Sequence, residues 1–164
     1  MKFSYLSALA LGGLLAASTG CSDDPDTDGT SNAVCSSDMF DKYGVDAFLA
    51  VNDRIIELSV AAPTAMVGDS FQTLAAQPAA RVEEFRTNLA NFLVFVYGGP
   101  NNYTGPDMET AHTGLNITSD QYDFFVTDVV VPALADNGVP MEDIQNCFAP
   151  PVLDEDFKNS IIDR

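Results

Sequence analysis

Residues 98–118 of this chain read GGPNNYTGPDMETAHTGLNIT and contain its only histidine, His112. An imidazole is the side chain best suited to bind a metal or to exchange protons near neutral pH. Glycine and proline at the start of the stretch end a preceding helix, and Thr118 begins the next one. The functional question therefore centres on His112 and on the segments that flank it.

Composition limits the classes of function. The chain has 164 residues, 46% of them hydrophobic, which suffices for one domain with a hydrophobic core. Its formal net charge of −17 repels phosphate backbones and anionic lipid headgroups, so nucleic-acid binding is excluded. Solubility is the simplest role for this acidic surface.

Residues 1–20 resemble a bacterial lipoprotein signal. Lys2 supplies a basic start, and residues 5–17 form an apolar stretch too short to anchor the chain across a bilayer. Cys21 follows as the residue that such a signal would lipidate, although Ser18 stands where leucine is usual. The alternative is an ordinary secretory signal. Both predict an exported protein on the periplasmic or cell-surface side, and the first adds a membrane anchor through lipid alone.

Residues 21–36 are predicted to form an acidic flexible linker that carries the lipidated Cys21, and residues 37–164 to form the folded domain. Residues 24–29 match the first half of a calcium loop. Cys35 stands where that loop needs its bidentate glutamate, so a calcium site is disfavoured.

If Cys21 is lipidated, Cys35 and Cys147 are left as a pair in an oxidising compartment. A disulfide between them would close a long loop and stabilise the fold by about 4–5 kcal/mol. Two buried free thiols are the alternative.

The apolar spacing predicts helices throughout, with no convincing pair of strands. In the first half we expect a first helix broken near Gly44, an irregular connection over 62–77, and a helix from Pro78 to Gly98. The next helix should follow a Thr118–Gln121 capping box and kink at Pro132. A last helix should run from Pro140 through Phe148, with an interruption at Pro150–Pro151 before a short helical tail.

Residues 38–148 resemble a group 1 truncated haemoglobin. The most specific part is the pattern GGP-x-x-YTG-x-x-M-x-x-x-H-x-G-x-x-IT, which ends at Thr118. DKYGVDAFLAVNDRII resembles the first two helices of the family, and DNGVPMEDI its last turn. The resemblance implies an all-α, two-over-two truncated globin fold, haem as the cofactor, and His112 as the proximal ligand of the iron.

The resemblance also implies the other haem contacts. On the side of His112 they are Met108, Ile117 and Tyr122; on the opposite, distal side they are Ile56, Phe71, Phe85, Leu89, Phe92 and Leu93. Ile56 stands where the family usually has a tyrosine, and Leu89 where it often has a glutamine. Neither side chain can donate a hydrogen bond, which predicts weak retention of oxygen unless a polar group from the 62–77 connection supplies a donor.

The function implied by the resemblance is binding of a diatomic gas (oxygen, nitric oxide or carbon monoxide) through a histidine-ligated iron. A nitric oxide dioxygenase-like activity with an unknown electron donor stays open. Arg81 and Arg86 are candidates to bind the haem propionates. The alternative is a haem-free globin-fold lipoprotein that serves as an interaction or structural module.

Overall fold

The computed structural model describes Cys35 and residues 39–164, which belong to one compact unit spanning Ser31–Arg164. The described residues form helices and no strand, so the predicted all-α class is confirmed. The predicted signal peptide, Cys21 and the half calcium loop lie outside the described residues.

Helix α1 spans Met39–Ala61 and is broken at Gly44, as the sequence predicts, because a φ of 74° there is left-handed and favours glycine. The connection that follows was predicted to be irregular, but it contains two short helices, α2 (Thr64–Val67) and α3 (Ser70–Ala75). Gly68, also at a φ of 74°, ends α2 and keeps the two apart.

Helix α4 spans Ala79–Val96, directly after Pro78, as predicted. Proline fits this position because the first N–H groups of a helix have no partner within it. Ala90, Val94 and the following Tyr97 are buried, and α4 packs on α1. Phe40 N donates to Tyr97 O at 3.0 Å, which ties the start of α1 to the end of α4.

The helix after Thr118 is continuous but changes its winding. It comprises α6 (Ser119–Phe124), a π-helical segment π1 (Phe125–Val130) and α7 (Val131–Asp136). The predicted capping box is present, since Thr118 and Gln121 exchange hydrogen bonds through their side chains. The wider π turn lies just before Pro132, whose ring would crowd the preceding turn of an ordinary helix.

The last helical run was predicted to stop at Pro150–Pro151, and this is wrong. It continues as α8 (Met141–Asp143), π2 (Ile144–Phe148) and α9 (Ala149–Leu153). The prolines fall in the first turn of α9, directly after the widened turn of π2, which leaves room for rings that would crowd the preceding turn of an ordinary helix. The predicted helical tail follows as α10 (Glu155–Asn159).

The main core lies where α1 and α4 meet the α7 and π2 helices. Its buried members are Met39, Phe48, Val51, Ile55, Val67, Val94, Tyr97, Val129, Ala133, Leu134, Val139, Ile144, Cys147 and Phe148. Tyr97 Oη donates to Phe148 O at 2.7 Å across this core. Cys35 and Cys147 form a disulfide bond at its edge, with the two Cα atoms 4.7 Å apart.

Among residues 39–164, no helix has the length and apolar character needed to span a membrane.

Candidate functional site

His112 is the last residue of a five-residue helix, α5, which spans Met108–His112. Asp107 caps this helix by accepting hydrogen bonds from Thr110 N and Thr110 Oγ1, both at 2.9 Å. The bond from the Thr110 backbone N–H, followed by that from its hydroxyl, lowers the pKa of Asp107, so the cap stays ionised. The cap fixes where α5 starts and, one turn later, where His112 lies.

The ring of His112 is oriented by its own helix. Nδ1 lies 2.7 Å from Met108 O. A carbonyl oxygen can only accept, so Nδ1 carries a proton, and in the neutral ring Nε2 then presents its lone pair. Histidines that bind metals are held in this way, with the second nitrogen donating to a backbone carbonyl or a carboxylate. His112 as a whole is partly exposed.

The chain turns sharply after His112. Leu115 N donates to His112 O at 3.1 Å, and Gly114 and Asn116 have φ angles of 84° and 51°. Glycine and asparagine tolerate this left-handed region best, which explains their place in the motif. The turn delivers Ile117 back to the same cluster as Met108.

Tyr103 explains another part of the motif. Its hydroxyl donates to Pro106 O at 2.6 Å, and a Cβ at Gly105 would lie only 2.5 Å from the Tyr103 ring. The ring also meets Phe92 edge to face, with centroids 5.5 Å apart. The Tyr-Thr-Gly sequence therefore packs the approach to α5 against α4.

The predicted proximal contacts come together. Met108, Ile117 and Tyr122 belong to one hydrophobic cluster, separate from the main core, with Val126 and Ile161 buried beside Tyr122. Tyr122 Oη donates to Val152 O at 2.6 Å, and burial raises the pKa of Tyr122 to about 12.

The predicted distal residues of α4 are not members of the proximal cluster, although Phe92 stacks on Phe157, which packs against that cluster. Phe85, Leu89, Phe92 and Leu93 are only partly buried, in contrast to the buried face of the same helix that meets α1. Leu89 and Leu93 pack on the edge of the main core. An apolar face left partly open fits a wall that a ligand would cover.

Phe71 extends this wall from α3. It meets Phe85 edge to face at 6.1 Å and stacks on Phe125 at 5.9 Å. Ile56 is half-buried on α1. Ile56 and Leu89 have no polar side-chain atom.

The two candidates for binding propionates are both paired with carboxylates in this structure. Arg81 pairs with Glu84 at 2.5 Å, and Arg86 pairs with Asp53, whose hydrogen bonds and charge raise the pKa of the guanidinium. Every lysine and arginine between residues 39 and 164 pairs with a carboxylate: Lys42, Arg54, Arg81, Arg86, Lys158 and Arg164.

The sequence did not predict several residues of the two walls. Val126 was detectable, because it lies four residues after Tyr122 on the same helix face. No sequence motif marks the other residues, which only the fold brings to the proximal cluster: Val152, Phe157, Ile161 and Ile162.

Residues 39–151 match the family model described as "Bacterial-like globin". The structure is similar to the crystal structure of a truncated hemoglobin from Tetrahymena pyriformis, a point mutant in its Fe(III) form, with a TM-score of 0.63 and 22% sequence identity over 76% of this chain and 97% of that chain. No curated protein is significantly similar to this chain in sequence. The family model covers well over half of the chain, and the chain therefore belongs to the bacterial-like globin family, with a truncated globin fold.

Proposed function

We propose that this protein binds haem through Nε2 of His112 and receives a diatomic gas on the distal side. The observation that carries the proposal is the hydrogen bond between His112 Nδ1 and Met108 O at 2.7 Å, because it leaves Nε2 as the free donor atom for iron. Haem, when bound, supplies the iron to which the gas coordinates.

The residues present fit this cofactor. A haem needs one neutral imidazole and two apolar faces, and His112 lies beside a proximal cluster that includes Met108 and Ile117. The partly open face of α4 with Leu89 and Phe92 supplies apolar surface for the other side. In the part of the chain that the structure describes, no group of three or more His, Cys, Asp or Glu side chains is arranged to hold a bare metal ion. A single axial histidine is therefore the favoured form of metal binding.

The distal residues favour gases that need no hydrogen bond. Bound oxygen carries partial negative charge, and a donor stabilises it by about 1.5–3 kcal/mol. Ile56 and Leu89 provide no such donor. We expect nitric oxide and carbon monoxide to be held well and oxygen to be released quickly. Nitric oxide dioxygenation is disfavoured because it depends on oxygen that is retained.

The test replaces the imidazole and then returns it. His112→Gly should lose the haem absorbance band that copurifies with the wild-type protein, and free imidazole should restore it together with carbon monoxide binding. Thr113→Gly places the same flexibility one residue later and should keep the wild-type spectrum. A His112→Gly protein that keeps an unchanged spectrum without imidazole would contradict the proposal. If wild type takes up no haem even when it is supplied, the haem-free interaction module remains.

We also propose that the protein is exported and tethered to a membrane through a lipid on Cys21, with residues 21–36 as the linker and 37–164 as the globin domain. The disulfide between Cys35 and Cys147 supports export, because such bonds persist in oxidising compartments. Wild-type protein should partition into the detergent phase, and Cys21→Ser should move it to the aqueous phase. A wild-type protein found in the aqueous phase would leave the secretory signal as the alternative.

A further inference from the structure

Residues 152–164, here named the closing segment, lie beyond the part of the chain that matches the family model, which ends at residue 151. They leave α9, form α10 and return to residues 108–118, here named the His112 turn.

Apolar contacts tie the closing segment to the proximal wall. Ile161 is only 7% exposed and shares a buried cluster with Tyr122 and Val126. Val152, Phe157 and Ile162 pack against the same cluster, as do Met108 and Ile117, which lie on either side of His112 in the chain. The closing segment thus supplies much of the surface on which the His112 turn rests.

Backbone hydrogen bonds pair the two segments directly. Asp163 N donates to Ile117 O at 2.9 Å, and Asn116 N donates to Arg164 O at 3.0 Å. Arg164 also pairs with Glu109 at 3.3 Å, one residue after Met108. The turn is therefore bonded to the closing segment before and after His112.

The His112 turn has little internal stability to replace these contacts. α5 has five residues, and helices this short are unstable without tertiary contacts because nucleation costs more than so few hydrogen bonds return. Its cap at Asp107 fixes where it starts but not how it lies against the rest of the protein.

We propose that the closing segment, through Ile161, Asp163 and Arg164, positions the imidazole of His112 and so sets the geometry of the iron's proximal ligand. The effect on the geometry of the iron ligand rests on the proposed function, whereas the effect on the position of His112 applies to the haem-free protein as well. Phe157 extends the same segment to the distal wall, since its ring stacks on Phe92 of α4 with centroids 6.2 Å apart and an interplanar angle of 11°.

The first measurement uses the haem-free protein. Amide hydrogen exchange over residues 108–118 should become about tenfold faster in Ile161→Ala and in a variant that lacks residues 163–164, while α1 keeps its protection. The deletion removes only exposed side chains, so it keeps the test valid if Ile161→Ala fails to fold. Leu153→Ala is the control, because this side chain is 60% exposed in the same segment. Unchanged exchange over 108–118 in the folded deletion variant would overturn the proposal.

The second measurement uses the haem-loaded protein. The iron–histidine stretching band of the ferrous form should shift in the deletion variant and stay at its wild-type position in Leu153→Ala. A band that does not move, even with faster exchange, would show that the segment stabilises the turn without positioning the ring, and would also overturn the proposal. If wild type binds no haem, the proposed function fails, whereas hydrogen exchange still decides whether the segment holds the turn.

Discussion

The proximal and distal walls of the proposed haem site are built by different interactions. The proximal wall is hydrogen-bonded from Asp107, through the Met108–His112 pair, to Asn116 and the closing segment. The predicted distal wall consists of aromatic and aliphatic side chains without polar atoms: Phe71 meets Phe85 edge to face, and Leu89 packs on the edge of the main core.

This difference suggests that the chain encodes retention of the cofactor and discrimination between gases separately. Hydrogen bonds require fixed spacings, so the proximal wall keeps the glycine, tyrosine and histidine positions of the motif. Apolar packing requires only suitable volume and shape, so isoleucine and leucine are accepted on the distal side. Changes to one wall should therefore leave the property governed by the other wall nearly unaltered.

The largest expected effect lowers the stability of the whole domain while leaving both walls intact, and it sets the baseline for that comparison. Replacing Cys35 with serine and Cys147 with alanine opens a loop with a sequence separation of 112 residues. The free energy of unfolding should fall by about 4–5 kcal/mol, mainly because the unfolded chain gains freedom. Urea denaturation of the double variant, beside wild type with and without reductant, measures this.

Reduced wild type should unfold at the same urea concentration as the double variant. A double variant as stable as oxidised wild type would show that the bridge contributes nothing. While reduced wild type and the double variant remain folded, they should show the same haem spectrum, because neither wall loses a contact.

The second effect is confined to the distal wall. Leu89→Gln introduces a hydrogen-bond donor of similar volume on the partly open face of α4. Oxygen release should slow by roughly 10- to 150-fold, which corresponds to a hydrogen bond of about 1.5–3 kcal/mol. Stopped-flow replacement of oxygen by carbon monoxide measures the rate.

Leu89→Met fills the same space without a donor and is the matched control. The release rate of carbon monoxide should change much less than that of oxygen, because carbon monoxide depends less on a donor. Equal slowing by glutamine and methionine would mean that steric blocking, and not polarity, controls release.

Local signals predicted the helices well, whereas the ends of the last helical run depended on winding that no local rule indicates. Gly44, Pro78 and the Thr118–Gln121 pair each act on neighbouring backbone groups, so their effects can be predicted from the sequence. Pro150–Pro151 was misjudged because the π-helical segment π2 lets the helix pass through the prolines. Such widening depends on packing with the other helices.

The site residues also divide into those that the sequence predicts and those that only the fold brings together. Met108, Ile117 and Tyr122 were implied by the resemblance to truncated haemoglobins, and the structure brings them into one cluster. The closing segment was not predicted, because Ile161 and Phe157 are ordinary apolar residues more than 40 positions after His112. Arg81 and Arg86 were proposed by charge alone, and their binding to propionates stays a prediction; in the structure they pair with carboxylates on α4 and on α1.

The smallest expected effect is a dependence of stability on alkaline pH that distinguishes the two walls. Tyr122 is buried and donates to Val152 O, and burial raises its pKa from 10.0 to about 12. Because the folded protein favours the neutral phenol, this contribution to stability is complete below pH 10 and is lost as the pH rises from about 10 to about 12. None of the six predicted distal contacts can titrate, so only the proximal wall should respond in this way.

Tyr122→Phe removes the hydroxyl and should lower the free energy of unfolding at neutral pH by about 0.5–1.5 kcal/mol. The difference between wild type and this variant should shrink above pH 10, because ionisation of Tyr122 then disrupts the same hydrogen bond in wild type. Urea denaturation at a series of pH values measures the difference. A gap that stays constant up to pH 12 would mean that Tyr122 does not titrate with the proximal wall. The alkaline response would then belong to Tyr43, Tyr97 or Tyr103, whose pKa values are also raised by burial.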